Sequence, residues 1–195
     1  MNKLEQAVWI AQSLFNRGKA TGSSANLSFK DGDKIYITGS GTSFGTLDQS
    51  QFAIVDLNGT HLDGIAASKE LPLHLIYYNK SEKIQAVIHT HSIYSTLWSC
   101  ASHQNTVDCM PKYTPYLKMK LGTIGLIPYA SPGSAELFEH FKSAIDKSDG
   151  FLLANHGPLV GAKSLMDAFF ALEELEESAR VAYEITNKLH FNECK

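Results

Sequence analysis

The chain has 195 residues, 44% of them hydrophobic, and a formal net charge of -3. That is enough for one buried core and a tight fit for two, and no Pro/Gly/Ser-rich stretch marks a seam, so residues 1–195 are expected to form a single domain. The weak acidity argues against a broad nucleic-acid surface while leaving room for a local positive pocket, and no apolar run is long enough to cross a bilayer. Residues 1–6 do not lead into the apolar core of a signal peptide. Cys100, Cys109 and Cys194 are irregularly spaced, so they suggest neither a disulfide framework nor a zinc knuckle. They are expected to be reduced thiols of a cytoplasmic protein, with Cys100 buried because it follows an apolar run.

Leu4, Val8, Ala11, Leu14 and Phe15 share one side of a helical wheel, which predicts an amphipathic helix over 3–16 that stops near Gly18. Residues 21–28 are small and hydrogen-bonding, and Asp31-Gly32-Asp33 has the composition of a turn between strands. Residues 34–38 alternate as a strand that runs into Gly39-Ser40-Gly41-Thr42-Ser43. A second short strand is expected over 52–56, followed by the hairpin signal Asn58-Gly59. A helix is expected from Ser68, with Leu71, Leu75, Ile76 and Tyr78 along it and Pro72 tolerated in its first turn.

The apolar run 84–88 reads as a buried strand ending in His89-Thr90-His91, with a helix over 92–100 after it. Further on, a strand is expected over 124–129, and Ser134 can cap a helix that runs to Ala144. Residues 151–154 form another buried strand candidate, which delivers Asn155-His156-Gly157-Pro158 to its end. The last helix, over 164–188, carries an apolar stripe of Leu165, Phe169, Leu172, Leu175, Ala179 and Ala182 opposite Glu173, Glu174, Glu177 and Arg180. Strands and helices intermingle without a regular crossover rhythm, which predicts an α/β fold on a mixed sheet rather than a strictly parallel one.

Chemistry concentrates at strand ends. Residues two apart on an extended chain point the same way, so His89 and His91 can present neighbouring imidazoles while a distant loop supplies His156. Three neutral nitrogens suit zinc and leave a position for an oxygen ligand, water or substrate. His61, His74, His103, His140 and His190 offer other combinations, and His74, four residues after Glu70, fits a packing or supporting role. Glu70 can close the metal shell or move protons; the plain alternative is a solvated glutamate favoured by the helix dipole. Asn26, Ser40, Gly41 and Ser68 lie in three small-residue segments whose donors could surround a phosphate, with Lys69 adding charge. Taken singly, each segment is also an ordinary turn, and none is a nucleotide or dinucleotide loop.

These motifs resemble the class II aldolase/adducin family over nearly the whole chain. Ser24-Ala25-Asn26-Leu27-Ser28 is similar to the family's glycine-asparagine-x-serine phosphate loop, with Ala25 at the usual glycine. Thr38-Gly39-Ser40-Gly41 resembles its second phosphate segment, and Ser68-Lys69-Glu70 its serine-serine-glutamate segment, with Lys69 replacing the second serine. His89 and His91 match the paired metal histidines, His156 the third, and Glu70 the acidic residue that coordinates the resting metal and exchanges protons. A closer resemblance, to family members that decarboxylate 3-oxo-tetronate 4-phosphate, is carried by four segments. They are Thr42-Ser43-Phe44-Gly45, the run 113–119 (YTPYLKM), Ile127-Pro128-Tyr129 with Pro132-Gly133, and the run 173–179 (EELEESA).

The resemblance implies a single-domain fold with a central mixed, mainly antiparallel sheet flanked by helices. It implies one Zn2+ per subunit, or another divalent metal, and a homotetramer with no nucleic-acid or membrane partner. The implied activity is a carbon-carbon lyase reaction of acid-sugar catabolism, yielding dihydroxyacetone phosphate and carbon dioxide. Asn26, Ser40, Gly41, Ser68 and Lys69 would bind substrate, and His89, His91, His156 and Glu70 the metal. Tyr116 is either an acid reaching a neighbouring subunit's site or an interface packing residue. A class II sugar-phosphate aldolase and a non-catalytic carbohydrate-binding protein stand as alternatives.

Overall fold

In the computed structural model, which describes residues 1–186, helix α1 spans Lys3–Asn16, and Asn2 and Glu5 close a capping box at its start. Strands β1 (Asn26–Asp31) and β2 (Lys34–Thr38) form a hairpin through Gly32, whose φ of 63° suits glycine. Strands β3 (Phe52–Asp56) and β4 (His61–Gly64) lead to α2 (Leu71–Lys80), β5 (Ala86–His89) and α3 (Ile93–Ser99). Then follow α4 (Tyr116–Lys120), β6 (Ile124–Ile127), α5 (Ala135–Ala144), β7 (Gly150–Leu153), β8 (Gly157–Ala162) and α6 (Leu165–Thr186).

All eight strands join one sheet in the order β4-β3-β2-β1-β5-β8-β7-β6. Among the described residues only β6 and β7 pair in parallel, so the sheet is mixed and mainly antiparallel, as expected. Alternation along the strands splits the core in two. Leu27, Phe29, Ala86, Ile88 and Val160 pack under α1 and α6, while Ile35, Val87, Phe151, Leu153 and Leu159 pack under α2 and α5. His89 continues the alternation of β5 and so falls on the α2 side, as Val87 does.

Several boundaries shift for local reasons. Helix α2 starts at Leu71 rather than Ser68, because the Ser68 amide donates to Thr38 O at 3.2 Å and is held onto the end of β2. Strand β5 starts at Ala86, since the Ile84 amide is used in a turn to Ser81 O, and β6 ends before Pro128, which has no donor. Cys100 is exposed, which corrects the expected burial. Ser95 and Ser99, one turn apart, face inward on α3, and the next residue rotates away from the core. The stripe on α6 is buried as read, while the expected helix end at 188, His190 and Cys194 lie outside the described residues.

Helix α3 has no side-chain cap from Ser92. Buried Glu176 on α6 serves instead, accepting hydrogen bonds from the Tyr94 and Ser95 amides at 3.1 and 2.9 Å. The chain just after His91 is thereby anchored to α6. Among the described residues, no helix is long and apolar enough to cross a membrane.

Candidate metal centre and substrate cleft

His89 is fully buried at the end of β5, paired with Asn26 on β1 and Leu159 on β8. Its Nδ1–H donates to the Pro158 carbonyl at 2.8 Å; a carbonyl only accepts, so Nε2 is left with its lone pair. His156 rides on the short turn between β7 and β8, where Asn155 takes a φ of 56°, a conformation asparagine tolerates. Gly157 lies so close to the segment after β5 that a Cβ there would sit 2.2 Å from Thr90 O. That close approach brings His156 beside His89 and His91.

The ring centroids of His156 lie 4.7 Å from those of both His89 and His91, which are 5.1 Å apart. Nε2 of His89 and Nε2 of His156 face each other at 3.2 Å. Glu70 Oε2 lies 3.5 Å from the first and Oε1 3.5 Å from the second. Burial depresses all three imidazoles: His89 to about 3, helped by neighbouring His91, with His91 and His156 also below the usual value. The rings are therefore neutral, and the contacts to Glu70 are not ion pairs.

The Nε2 lone pair of His89 and the Glu70 carboxylate repel one another unless a proton or a cation lies among them. Glu70 is buried, and its Oε1 accepts no hydrogen bond among the described residues. This rules out the solvated-glutamate alternative. Two ligands at about 2.0–2.1 Å from a tetrahedral ion sit roughly 3.3 Å apart, close to the 3.2 Å between His89 and His156 and the 3.5 Å from each to Glu70. His89, His91 and His156 thus form a group able to hold a metal ion, and the donor set fits a divalent cation.

Next to them lies a cleft of about 160 Å³ that the structure lines with every expected substrate residue: Asn26, Ser40, Gly41, Ser68 and Lys69. Ser40, Gly41 and Lys69 are exposed and Ser68 is half-buried. Gly41 adopts a φ of 75°, and Ser68 Oγ accepts the Glu70 amide at 3.3 Å. The aliphatic stem of Lys69 runs against Gly133, where a Cβ would lie 3.0 Å from Lys69 Cδ. Asn26 also donates from Nδ2 to Glu70 Oε2 at 2.9 Å, so it joins the cleft to the metal group. Ser23, Ser24 and Pro132 line the cleft as well. None of the three was expected to bind substrate: Ser23 and Ser24 lie in the small-residue run, and Pro132 was quoted only for the family resemblance. Tyr116 stands 59% exposed at the start of α4 and is not among the residues lining this cleft.

Residues 5–183 match the Class II Aldolase and Adducin N-terminal domain, and the chain belongs to that family. It is 38% identical to the 3-oxo-tetronate 4-phosphate decarboxylase of Escherichia coli (strain K12) over 181 residues, 92% of this chain and 85% of that protein. It is 35% identical to an L-fuculose phosphate aldolase of Methanococcus maripaludis (strain S2) over 184 residues, 94% of this chain and 98% of that protein. The crystal structure of YgbL from Escherichia coli superposes with a TM-score of 0.94 at 34% identity, covering 98% of this chain and 93% of that one.

Proposed function

We propose that the protein is a carbon-carbon lyase that decarboxylates 3-oxo-tetronate 4-phosphate to dihydroxyacetone phosphate, with one zinc per subunit, as a cytoplasmic homotetramer. One observation carries the reading. His89, His91, His156 and buried Glu70 converge at the end of a phosphate-sized cleft with Lys69 at its mouth, in a chain similar to such decarboxylases over most of its length.

In this reading the substrate phosphate lies among Asn26, Ser40, Gly41 and Ser68, fixing the distance from that end to the carbon that loses its carboxyl group. Lys69 holds an anionic end of the substrate. Loss of carbon dioxide sends the C1–C2 bonding pair onto C2 and into the adjacent carbonyl, and a proton added at C2 completes the product. A bound divalent ion supplies Lewis-acid stabilisation of oxygen charge. No carbon-bound proton has to be removed, so Glu70 acts as the handler of hydroxyl and returning protons, with Oε1 as the oxygen free of hydrogen bonds. Tyr116 is proposed as an acid at a neighbouring subunit's cleft; unchanged turnover of Tyr116→Phe across pH removes that role.

The test is product analysis with purified protein, zinc and 3-oxo-tetronate 4-phosphate. Carbon dioxide and dihydroxyacetone phosphate in equal amounts support the proposal. An aldolase, favoured by the likeness to the Methanococcus protein, instead splits a sugar phosphate into dihydroxyacetone phosphate and an aldehyde. Binding without product marks a non-catalytic carbohydrate-binding protein.

A further inference from the structure

Glu70, His74 and Tyr78 fall four residues apart, from the N-cap of α2 down one face of the helix, while Asn26 and Ser28 fall two apart on one face of β1. Four helical residues rise about 6 Å and two strand residues about 6.8 Å, so the two ladders keep step. The side chains interleave. Asn26 Nδ2 meets Glu70 Oε2 at 2.9 Å, Asn26 Oδ1 meets His74 Nε2 at 2.6 Å, His74 Nδ1 meets Ser28 Oγ at 2.6 Å, and Ser28 Oγ meets Tyr78 OH at 2.7 Å. All five residues are buried.

The first link sets the direction of the rest. A carboxylate only accepts, so the Asn26 NH2 faces Glu70 and its oxygen faces His74. That oxygen needs a donor, which places the His74 proton on Nε2. Nδ1 is then an acceptor for the Ser28 hydroxyl, whose oxygen accepts from Tyr78. Burial keeps His74 neutral, with its pKa pushed down to about 3. With a neutral ring, every link has one donor and one acceptor.

We infer that His74 is a positioning residue: the relay Tyr78–Ser28–His74–Asn26 locks the Asn26 amide so that it holds one oxygen of Glu70 and leaves the other for the metal. This rests on the proposed metal role of Glu70. Without the relay the amide can turn its oxygen toward the carboxylate, which swings Glu70 out of place.

Long-range proton–nitrogen NMR of the full chain labelled with 15N-histidine tests the polarity directly, with His74→Gln identifying the signal. The expected result is His74 protonated at Nε2 only; a proton on Nδ1 overturns the relay. Zinc affinity, by competition with a chromophoric chelator, tests the consequence. His74→Phe is expected to bind zinc about 10–100-fold more weakly, the usual cost of losing an outer-shell partner. It should also lower kcat with little change in KM. His74→Gln, whose amide can donate from near the Nε2 position, should recover most of both, whereas the shorter His74→Asn should not. Wild-type zinc affinity in His74→Phe, or equal loss in the Gln and Phe variants, overturns the positioning role. If the Phe variant does not fold, the tautomer still decides the polarity. A wild-type chain that binds no zinc yet shows the Nε2–H tautomer counts against the metal reading and leaves the relay standing.

Discussion

On one wall of the cleft, His89 and His156 are buried at the ends of β5 and β8, and backbone contacts to Pro158 and Thr90 fix where the strands meet. On the other, Ser40, Gly41 and Lys69 stand exposed on turns, with Ser68 half-buried among them. The first wall is held by buried contacts between strand ends, so its geometry is set in advance. The second offers groups that water satisfies equally well, so changes there should alter affinity for substrate without destroying the site. The division predicts a graded series of effects.

The largest belongs to the buried wall. His89→Ala is expected to lower zinc affinity by more than the ~10–100-fold of an outer-shell change and to take turnover to background, as chelator competition and product assay will show. Glu70→Gln keeps the shape but removes the charge, and turnover should fall on the order of 10²–10⁴-fold. A variant that keeps full turnover removes Glu70 from proton handling. At the rim, Lys69→Ser should raise KM by about tenfold with kcat nearly kept, and unchanged kinetics would dismiss the charge contact. Ser40→Ala should raise KM about threefold to tenfold for phosphorylated substrate alone; an equal effect on an unphosphorylated analogue contradicts a phosphate pocket.

A separate effect concerns stability rather than turnover. His74 and His89 are neutral in the fold down to about 3, whereas in the unfolded chain they take up protons below about 6.5. Their folded pKa values are depressed, so the unfolded state binds more protons in that window, and stability falls as pH drops from about 6.5 toward 3. Each such histidine contributes a slope of about 1.4 kcal/mol per pH unit. In zinc-free protein the melting temperature should begin to fall near pH 6, above the range where carboxylates titrate; a flat profile down to pH 4.5 contradicts it.

The long elements were legible because periodicity reports burial: the stripe on α6 faces the core, and on α1 Ala11 and Leu14 are buried with Leu4 and Val8 packed beside them, while Phe15 at the helix end is exposed. Strand β4 left no such trace, since all four of its residues are exposed, and β8 opens with Gly157-Pro158, which reads as a turn. Helix α4 is a five-residue element with no room for a period. In the site, the pairing of His89 with His91 followed from strand alternation, and His156 was grouped with them because it too follows a buried strand candidate; the family resemblance strengthened that grouping, since spacing alone does not say that it folds back beside them. His74 could be placed on the Glu70 face of its helix. That β1 would interleave with that face was not visible, because the register of helix against strand is a tertiary fact.

A crystal structure of the zinc-soaked protein tests the central claim most directly. The account predicts one metal peak about 2.0–2.2 Å from a nitrogen of each of His89, His91 and His156 and from a Glu70 oxygen. Zinc elsewhere, or imidazoles left in place around no peak at saturating metal, would contradict it.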